Sequence, residues 1–152
     1  MGRVILPVVS VERVINVDPT RIFDLLADPT NHPIIDGSGS VREITSSVTR
    51  LELGATFGAS MRLGVAYRIT NTVVEFEADR RIAWRHFAGH RWRYVLTPVT
   101  GGTLVREEWD ASRAPWATQL TLKLMGFPKR NQKAMVETLL RLERELVVLD
   151  PA

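Results

Sequence analysis

The stretch VSVERVINV (residues 9–17) runs directly into DPTRIFDLLAD (residues 18–28), and this junction decides the first part of the fold. The β-branched residues of Val9–Val17, interrupted by polar ones, predict a strand. Asp18 is a candidate N-cap and Pro19 suits the first helical position, so a helix is predicted to begin there. Pro29 ends this helix. Its apolar residues share one side: Ile22, Phe23, Leu25 and Leu26.

The chain after this helix reads mainly as short strands. Pro29–Asp36 predicts a second short helix or an ordered loop, and the Gly-Ser sequence of residues 37–40 predicts a flexible turn. Tight turns between the strands that follow imply antiparallel pairing. Six strands are predicted: Val41–Val48, Thr56–Ala66, Tyr67–Ala78, Ile82–Phe87, Arg91–Val99 and Leu104–Ala111.

The C-terminal part changes to a helical period. Pro115–Met125 predicts a helix, residues 126–128 (Gly-Phe-Pro) predict a break, and Lys129–Leu149 predicts a longer helix. An apolar stripe follows its length: Met135, Leu139, Leu142, Leu146 and Leu149. Only about three heptads are present, so packing on the protein's own sheet explains the stripe better than a coiled coil. The predicted class is α+β, a curved seven-stranded antiparallel sheet wrapped around this helix, with two short helices after the first strand.

Composition narrows the class of protein. The 152 residues suit one domain, and the absence of Cys excludes disulfides and thiolate chemistry. No apolar run is long enough to span a membrane and no targeting segment is recognised, so a soluble, cytoplasmic protein without stable membrane insertion is expected. The basic excess is only +3. Alternation in Arg91-Trp92-Arg93-Tyr94 favours arginines that face water over a nucleic-acid surface, and no nucleic-acid partner is predicted.

Strand register selects the residues that face inward. A two-residue turn at Gly101-Gly102 would place Tyr94 opposite Trp109 and Leu96 opposite Glu107. The inner face would then hold an acid among apolar neighbours. Burial would raise the pKa of this Glu107 and prepare it for acid/base chemistry, while the alternative is a structural Glu paired with His86, Tyr94 or an arginine.

The preceding hairpin allows two registers. A three-residue loop at Ala88-Gly89-His90 pairs His86 with Trp92 and Trp84 with Tyr94, and places all four inside. A two-residue loop at Gly89-His90 would instead place Arg85 and Phe87 inside. The first register is preferred because it buries two Trp and exposes Arg85.

Several of these stretches resemble one known superfamily. VERVINVDPTRIFDLLAD (residues 11–28) is similar to the opening of START-like, or SRPBCC, proteins, most closely those of the polyketide cyclase/dehydrase branch. Pro-x-x-His-Pro-x-x-Asp over Pro29–Asp36 and Pro-Lys-Arg-Asn from Pro128 also resemble that branch. The resemblance implies one helix-grip domain over residues 1–152, with a deep cavity between sheet and long helix that takes hydrophobic small molecules.

The expected site combines this cavity with the inward residues. Glu107, His86 and Tyr94 are the candidate catalytic residues. His32 is placed at the cavity mouth. The predicted ligand contacts are His32, Phe57, Met61, Trp84, Trp92, Trp109, Met135 and Leu139.

Two functions follow from this site. The first is binding of a lipid-like or polyketide-like molecule by a monomer or homodimer. The alternative is an enzyme of the cyclase/dehydrase type, in which Glu107 or His86 takes a proton and Tyr94 hydrogen-bonds the developing enolate. A partner-binding domain of the chaperone-cofactor type is a third possibility. Metal-ligand, phosphate-loop and dinucleotide patterns are absent, so neither a metal nor a cofactor is predicted.

Overall fold

The computed structural model describes residues 6, 8–45, 47–85 and 89–149. Within these ranges seven strands form one antiparallel sheet: β1 (Val9–Ile15), β2 (Val41–Ile44), β3 (Thr56–Leu63), β4 (Val65–Glu77), β5 (Arg81–Arg85), β6 (Arg91–Val99) and β7 (Gly102–Asp110). The helices are α1 (Pro19–Ala27), α2 (His32–Ile35), α3 (Trp116–Leu124) and α4 (Phe127–Leu149), and a 3₁₀ turn covers Pro29–Asn31. The predicted α+β class and the order of elements are confirmed.

The sheet is curved around the long helix. Its strand order is β1-β7-β6-β5-β4-β3-β2, so the first strand pairs with the last and β2 forms the opposite edge. Helix α4 packs against β1, β7, α2 and α3. The predicted stripe on α4 is buried at Met135, Leu139, Leu142 and Leu146, whereas the side chain of Leu149 lies outside the described part of the structure. This arrangement is the predicted helix-grip fold.

The β6–β7 hairpin differs from the predicted register. Val99 pairs with Gly102, so the two-residue turn is Thr100-Gly101 and Tyr94 lies opposite Glu107. Gly102 belongs to the strand because it packs closely on the backbone of Ile15 and the next residue, where a Cβ would collide. The prediction of Gly101-Gly102 as the turn was therefore wrong by one residue. Moving the turn by one residue changes each cross-strand partner by two positions, so every side chain stays on its predicted face.

The β5–β6 pairing matches neither predicted register. Trp84 lies opposite Trp92, and Arg85 lies opposite Arg91. Residues 86–88, which follow β5, lie outside the described part of the structure. The preferred register gave the correct faces for Trp84 and Trp92 but the wrong partners.

Two predicted elements also differ in extent from the structure: strand β2 was predicted too long, and helix α4 was predicted to begin too late. Strand β2 is an edge strand and ends at Ile44 rather than Val48. The chain leaves the sheet after it, and the Leu51 N–H donates to the Ala27 carbonyl at 2.7 Å. Helix α4 begins at Phe127, two residues before the predicted start. Pro128 therefore occupies the first turn, where its missing N–H costs no helical hydrogen bond.

The outer face of the sheet carries an ion network. Glu75 on β4 accepts hydrogen bonds from Arg91 at 3.0 Å and from Arg93 at 2.7 Å. Arg93 also contacts Glu108 at 3.3 Å and Asp110 at 3.4 Å. The arginines of the Arg91-Trp92-Arg93-Tyr94 sequence thus lie opposite the aromatic face, as the alternation predicts, but their side chains are only 16% and 13% exposed and do not extend into water as expected.

Among the described residues, no helix is both long enough and apolar enough to cross a bilayer.

Candidate functional site

A cavity of about 330 Å³ lies between the inner face of the sheet, α2 and the first half of α4. Aromatic and aliphatic side chains form most of its wall. The predicted residues that line it are His32, Phe57, Met61, Trp84, Trp92, Tyr94, Glu107, Trp109 and Met135.

Two predicted site residues are not placed in this wall. Leu139 is buried in the core and is not among the residues that line the cavity, so it does not lie where it was predicted. It lies one helical turn beyond Met135 on α4. His86 lies outside the described residues, and its prediction as a catalytic residue is not addressed by the structure.

His32 forms part of an aromatic wall rather than a polar mouth. Its ring stacks on Trp84, with the centroids 4.6 Å apart, and meets Phe57 edge-on at 5.4 Å. Its Nε2 lies 2.9 Å from the Leu26 carbonyl oxygen, which fixes that nitrogen as the protonated donor. Burial lowers the pKa of His32 to about 4, although this hydrogen bond and nearby carboxylates act in the opposite direction. His32 is therefore a neutral packing residue at pH 7.

Glu107 and Tyr94 form a buried polar pair inside the cavity. They are direct cross-strand neighbours on β7 and β6, so their side chains leave the sheet side by side. The Tyr94 hydroxyl donates to Oε1 of Glu107 at 3.1 Å. Only 3% of Glu107 is exposed. Burial raises the pKa of Glu107 to about 8; the Tyr94 hydrogen bond opposes this rise and the negative charge of Asp36 adds to it.

Asp36 is held near the pair by contacts with α4. The next residue, Gly37, lies so close to the α4 backbone that a Cβ would collide with the Ala134 carbonyl oxygen. Gly37 donates its N–H to Oγ1 of Thr138 at 2.9 Å, and Arg141 donates to the Asp36 carbonyl at 2.9 Å. The end of α2 is thereby anchored on α4, and Asp36 becomes part of the cavity wall.

Two buried polar atoms of the cavity wall have no hydrogen-bond partner among the described residues. They are Oε2 of Glu107 and Nε1 of Trp109. The two residues are two positions apart on β7 and share its inner face. A buried polar atom that forms no hydrogen bond is costly, so both atoms are suited to bind a polar group of a molecule in the cavity. With Glu107 protonated and Oε1 already accepting from Tyr94, Oε2 and Trp109 Nε1 can both act as donors.

Several cavity residues were not predicted from the sequence. His90 is buried and lies 5.7 Å from the Trp109 ring centroid, although its position beside Gly89 indicated a loop. Asn71 is buried on β4 opposite Phe57, and its alternation with Ile69 and Val73 could have identified it. Each supplies polar atoms to a wall that the sequence analysis treated as aromatic.

Two of the segments that line the cavity carry exposed side chains, and the space between them is called the mouth here. One segment is the β3–β4 hairpin, which contributes Leu63 and Tyr67. The other is the α3–α4 junction, which contributes Leu122, Phe127 and Arg130. Among the residues that the structure describes, no group of three His, Asp or Glu side chains could hold a metal ion.

Comparison with known proteins agrees with this geometry. Residues 7–147 match the family described as polyketide cyclase / dehydrase and lipid transport. Uncharacterized protein Rv0088 of Mycobacterium tuberculosis is 36% identical over 129 residues, which cover 80% of this chain and 56% of the relative. The chain thus spans about half the length of that curated relative.

Solved structures with the same fold have lower sequence identity. An AHSA1-like protein from Aeromonas hydrophila superposes with a TM-score of 0.68 at 20% identity, and the match covers 94% of this chain and 93% of that protein. A polyketide-cyclase-like protein from Corynebacterium glutamicum superposes with a TM-score of 0.58 at 18% identity, over 94% of this chain and 93% of that one. The chain therefore belongs to the polyketide cyclase/dehydrase and lipid transport family of the START-like (SRPBCC) superfamily.

Proposed function

We propose that this protein binds an uncharged, hydrophobic small molecule in the cavity, with a ketone or hydroxyl oxygen of that molecule directed at β7. The observation that carries the proposal is that two buried polar atoms, Glu107 Oε2 and Trp109 Nε1, have no partner among the described residues in a wall that is mostly aromatic and aliphatic. Apolar walls with a few fixed polar groups are typical of small-molecule sites. The family's description, which includes lipid transport, agrees with this function.

The electrostatics of the cavity favour a neutral ligand. Glu107 has a pKa of about 8 and is mostly uncharged at neutral pH, so it can donate a hydrogen bond without carrying a charge. Asp36 adds negative potential to the same space. A ligand carboxylate would be desolvated beside these groups, which is unfavourable, whereas a ketone would accept hydrogen bonds from Glu107 and Trp109.

A matched pair of probes tests the proposal. Anthrone and 9,10-dihydroanthracene share one ring skeleton and differ by a single carbonyl. We expect anthrone to bind about tenfold more tightly, since one buried hydrogen bond is worth about 1 to 1.5 kcal/mol. Isothermal titration calorimetry on the full chain measures both affinities. Equal affinities for the two probes, or no binding of either, would contradict the proposal.

Variants locate the carbonyl contact. Trp109→Phe removes the Nε1 donor and Glu107→Leu removes the carboxyl, so each should reduce the preference for anthrone while dihydroanthracene binding changes less. Trp116→Phe is the matched control, because Trp116 lies on the surface outside the cavity wall. If the control lost the preference as well, the assignment of the carbonyl to β7 would be wrong.

Acid/base catalysis in the same cavity is the second candidate function, and the Glu107–Tyr94 pair favours it. The ionised carboxylate would take a proton from the carbon next to a ligand carbonyl, and the C–H electron pair would become the enolate double bond with charge on oxygen. The Tyr94 hydroxyl already donates to Glu107, so Trp109 Nε1–H is better placed than Tyr94 to stabilise that oxygen.

1-Tetralone tests this second function, because it carries a CH₂ group on the carbon next to its aryl ketone, whereas the CH₂ of anthrone lies across the ring from the carbonyl. Proton NMR in D₂O follows exchange of these tetralone hydrogens. The catalytic hypothesis expects the protein to accelerate exchange and Glu107→Gln to abolish the acceleration while binding stays within a few-fold. Binding without acceleration would leave the carrier function and remove the enzymatic one.

A further inference from the structure

Helix α3 turns a polar residue inward and two large apolar residues outward, while Leu122 packs against the core. The buried Gln119 accepts from the Leu6 N–H at 2.7 Å and donates to the Ala114 carbonyl at 2.9 Å. Trp116 and Leu124, eight positions apart and therefore on one helix face, are 62% and 78% exposed. Met125, directly after the helix, is 65% exposed. This orientation is the reverse of that expected for a helix packed on its own core.

The same segment carries the protein's positive charge. Residues 111–136 contain five basic residues and no Asp or Glu: Arg113, Lys123, Lys129, Arg130 and Lys133. The rest of the chain has fifteen basic and seventeen acidic residues and is therefore net negative, while the whole chain is +3. None of the five forms an ion pair with a described carboxylate. Exposed apolar side chains and unneutralised cations thus share one surface, called the elbow here (residues 116–133).

The elbow borders the mouth of the cavity. Leu122, Phe127 and Arg130 belong both to the elbow and to the cavity wall. Across the mouth, the tip of the β3–β4 hairpin exposes Val65 and Tyr67. A surface that bound the elbow would therefore also lie against the mouth.

We propose that the elbow docks reversibly on an anionic lipid bilayer, with Trp116, Leu124 and Met125 in the interface and the basic side chains against lipid headgroups. Aromatic and aliphatic residues flanked by Lys and Arg are the side chains that bind at such interfaces. Docking would bring the mouth to the membrane, so that an apolar molecule need not cross water between bilayer and cavity.

Two other occupants fit the elbow less well. A second copy bound through a two-fold interface would place the four cations of one elbow (Lys123, Lys129, Arg130 and Lys133) against the same four of the other. A nucleic acid would satisfy the cations but would leave Leu124 and Met125 in water, because phosphate contacts need no aliphatic side chains.

Vesicle flotation with the full chain tests the proposal. We expect binding to vesicles of phosphatidylcholine with 30% phosphatidylserine, weak binding to phosphatidylcholine alone, and release as salt is raised from about 0.1 M to 0.5 M. Tryptophan emission should shift to the blue on binding in the wild type and much less in Trp116→Phe, since Trp84 and Trp109 are already buried. Equal binding to both vesicle types, or binding to neither, would overturn the proposal.

Paired variants separate the two components of the elbow. Lys123→Gln/Lys129→Gln should weaken binding to the anionic vesicles by roughly tenfold to thirtyfold. Leu124→Ser/Met125→Ser should also weaken it but should leave the salt dependence in place. Arg85→Gln and Val147→Ser are the matched controls, an exposed cation on β5 and an exposed apolar residue on α4 outside the elbow, and should bind as the wild type does.

Two further outcomes would refute the proposal of membrane docking. Binding to a DNA duplex that is lost in the lysine variant, with no vesicle binding, would make the elbow a nucleic-acid surface and refute the proposal. Self-association without vesicles that Leu124→Ser/Met125→Ser abolishes would make it a dimer interface, with the same consequence. Anthrone binding in the cavity should be unchanged in all elbow variants, so failure of membrane docking and failure of the proposed function are distinguishable.

Discussion

The two faces of the sheet at strands β4, β6 and β7 differ in how they hold buried carboxylates. On the outer face, burial would raise the pKa of Glu75, but hydrogen bonds from Arg93 and Arg91 outweigh it and hold the pKa below its usual value. On the inner face, Glu107 has a tyrosine and no cation among the groups that shift its pKa, and burial raises that pKa to about 8. The same strands therefore carry a charged network on one side and an uncharged acid on the other.

This difference distinguishes carboxylates that stabilise the fold from one that is available to bind a ligand. The outer carboxylates have partners, so their role is accounted for by holding strands β4, β6 and β7 together. The inner carboxyl has one oxygen without a described partner in a cavity, so folding alone does not account for it. Buried polar groups that the fold leaves unpaired are the strongest indicators of a ligand.

The largest expected effect concerns the pH dependence of stability. The folded-state pKa of Glu107 lies above its unfolded value, so its contribution is fully present below about pH 4.5 and is lost as pH rises through about 8. Each pH unit between these values is worth about 1.4 kcal/mol, so the free energy of unfolding of the wild type should fall by about 5 kcal/mol relative to that of Glu107→Gln between pH 4.5 and pH 8. Urea unfolding at several pH values measures this. Parallel curves for the two proteins would show that Glu107 is not protonated in the folded state.

The second-largest effect is expected from a substitution that breaks the outer ion network. Arg93→Met should lower the free energy of unfolding by about 3 kcal/mol at pH 7, because it leaves Glu75 and Asp110 largely buried with fewer partners. Urea denaturation measures the loss. A change below about 0.5 kcal/mol would mean that the network is as weak as an exposed ion pair.

A smaller effect is expected at the inner pair. Tyr94→Phe removes the donor to Glu107 Oε1 and should cost about 1 kcal/mol. It should also raise the pKa of Glu107 further, since the hydrogen bond from Tyr94 holds that pKa down. Thermal unfolding gives the first quantity and a titration of Glu107 gives the second. A fall in this pKa would contradict the assigned hydrogen bond.

The smallest effect is the surface control for the outer network. Arg50 and Asp24 form an ion pair at 3.0 Å with both side chains 54% exposed. Arg50→Met should change the free energy of unfolding by no more than about 0.5 kcal/mol, because solvent screens exposed pairs. A loss as large as that of Arg93→Met would show that burial does not explain the strength of the network.

The sequence predicted the fold more completely than the site. Period, caps and turn residues are local signals, so α1, β6 and the burial of Met135 followed from them. The turn at Thr100-Gly101 did not, because Gly102 is required by a contact with Ile15 that is distant in sequence.

The sequence predicted which face of the sheet the site residues lie on, but not which groups they contact. Alternation placed Glu107 and Tyr94 on the inner face, but their hydrogen bond depends on a register that only the tertiary contact determines. The indole nitrogen of Trp109 was overlooked, because a sequence shows an aromatic residue but not whether its N–H has a partner. His90 was missed for a similar reason, since its burial depends on packing against Trp109.

The most direct test of the account is the ionisation of Glu107 itself. Carbon-13 NMR of protein labelled at the glutamate carboxyl carbons, with Glu107→Gln to assign the resonance, follows this one group through a pH titration. We predict a midpoint near pH 8, well above the ordinary value for glutamate. A midpoint near pH 4.5 would show that the cavity holds a charged carboxylate, and the proposed neutral, hydrogen-bond-accepting ligand would then be contradicted.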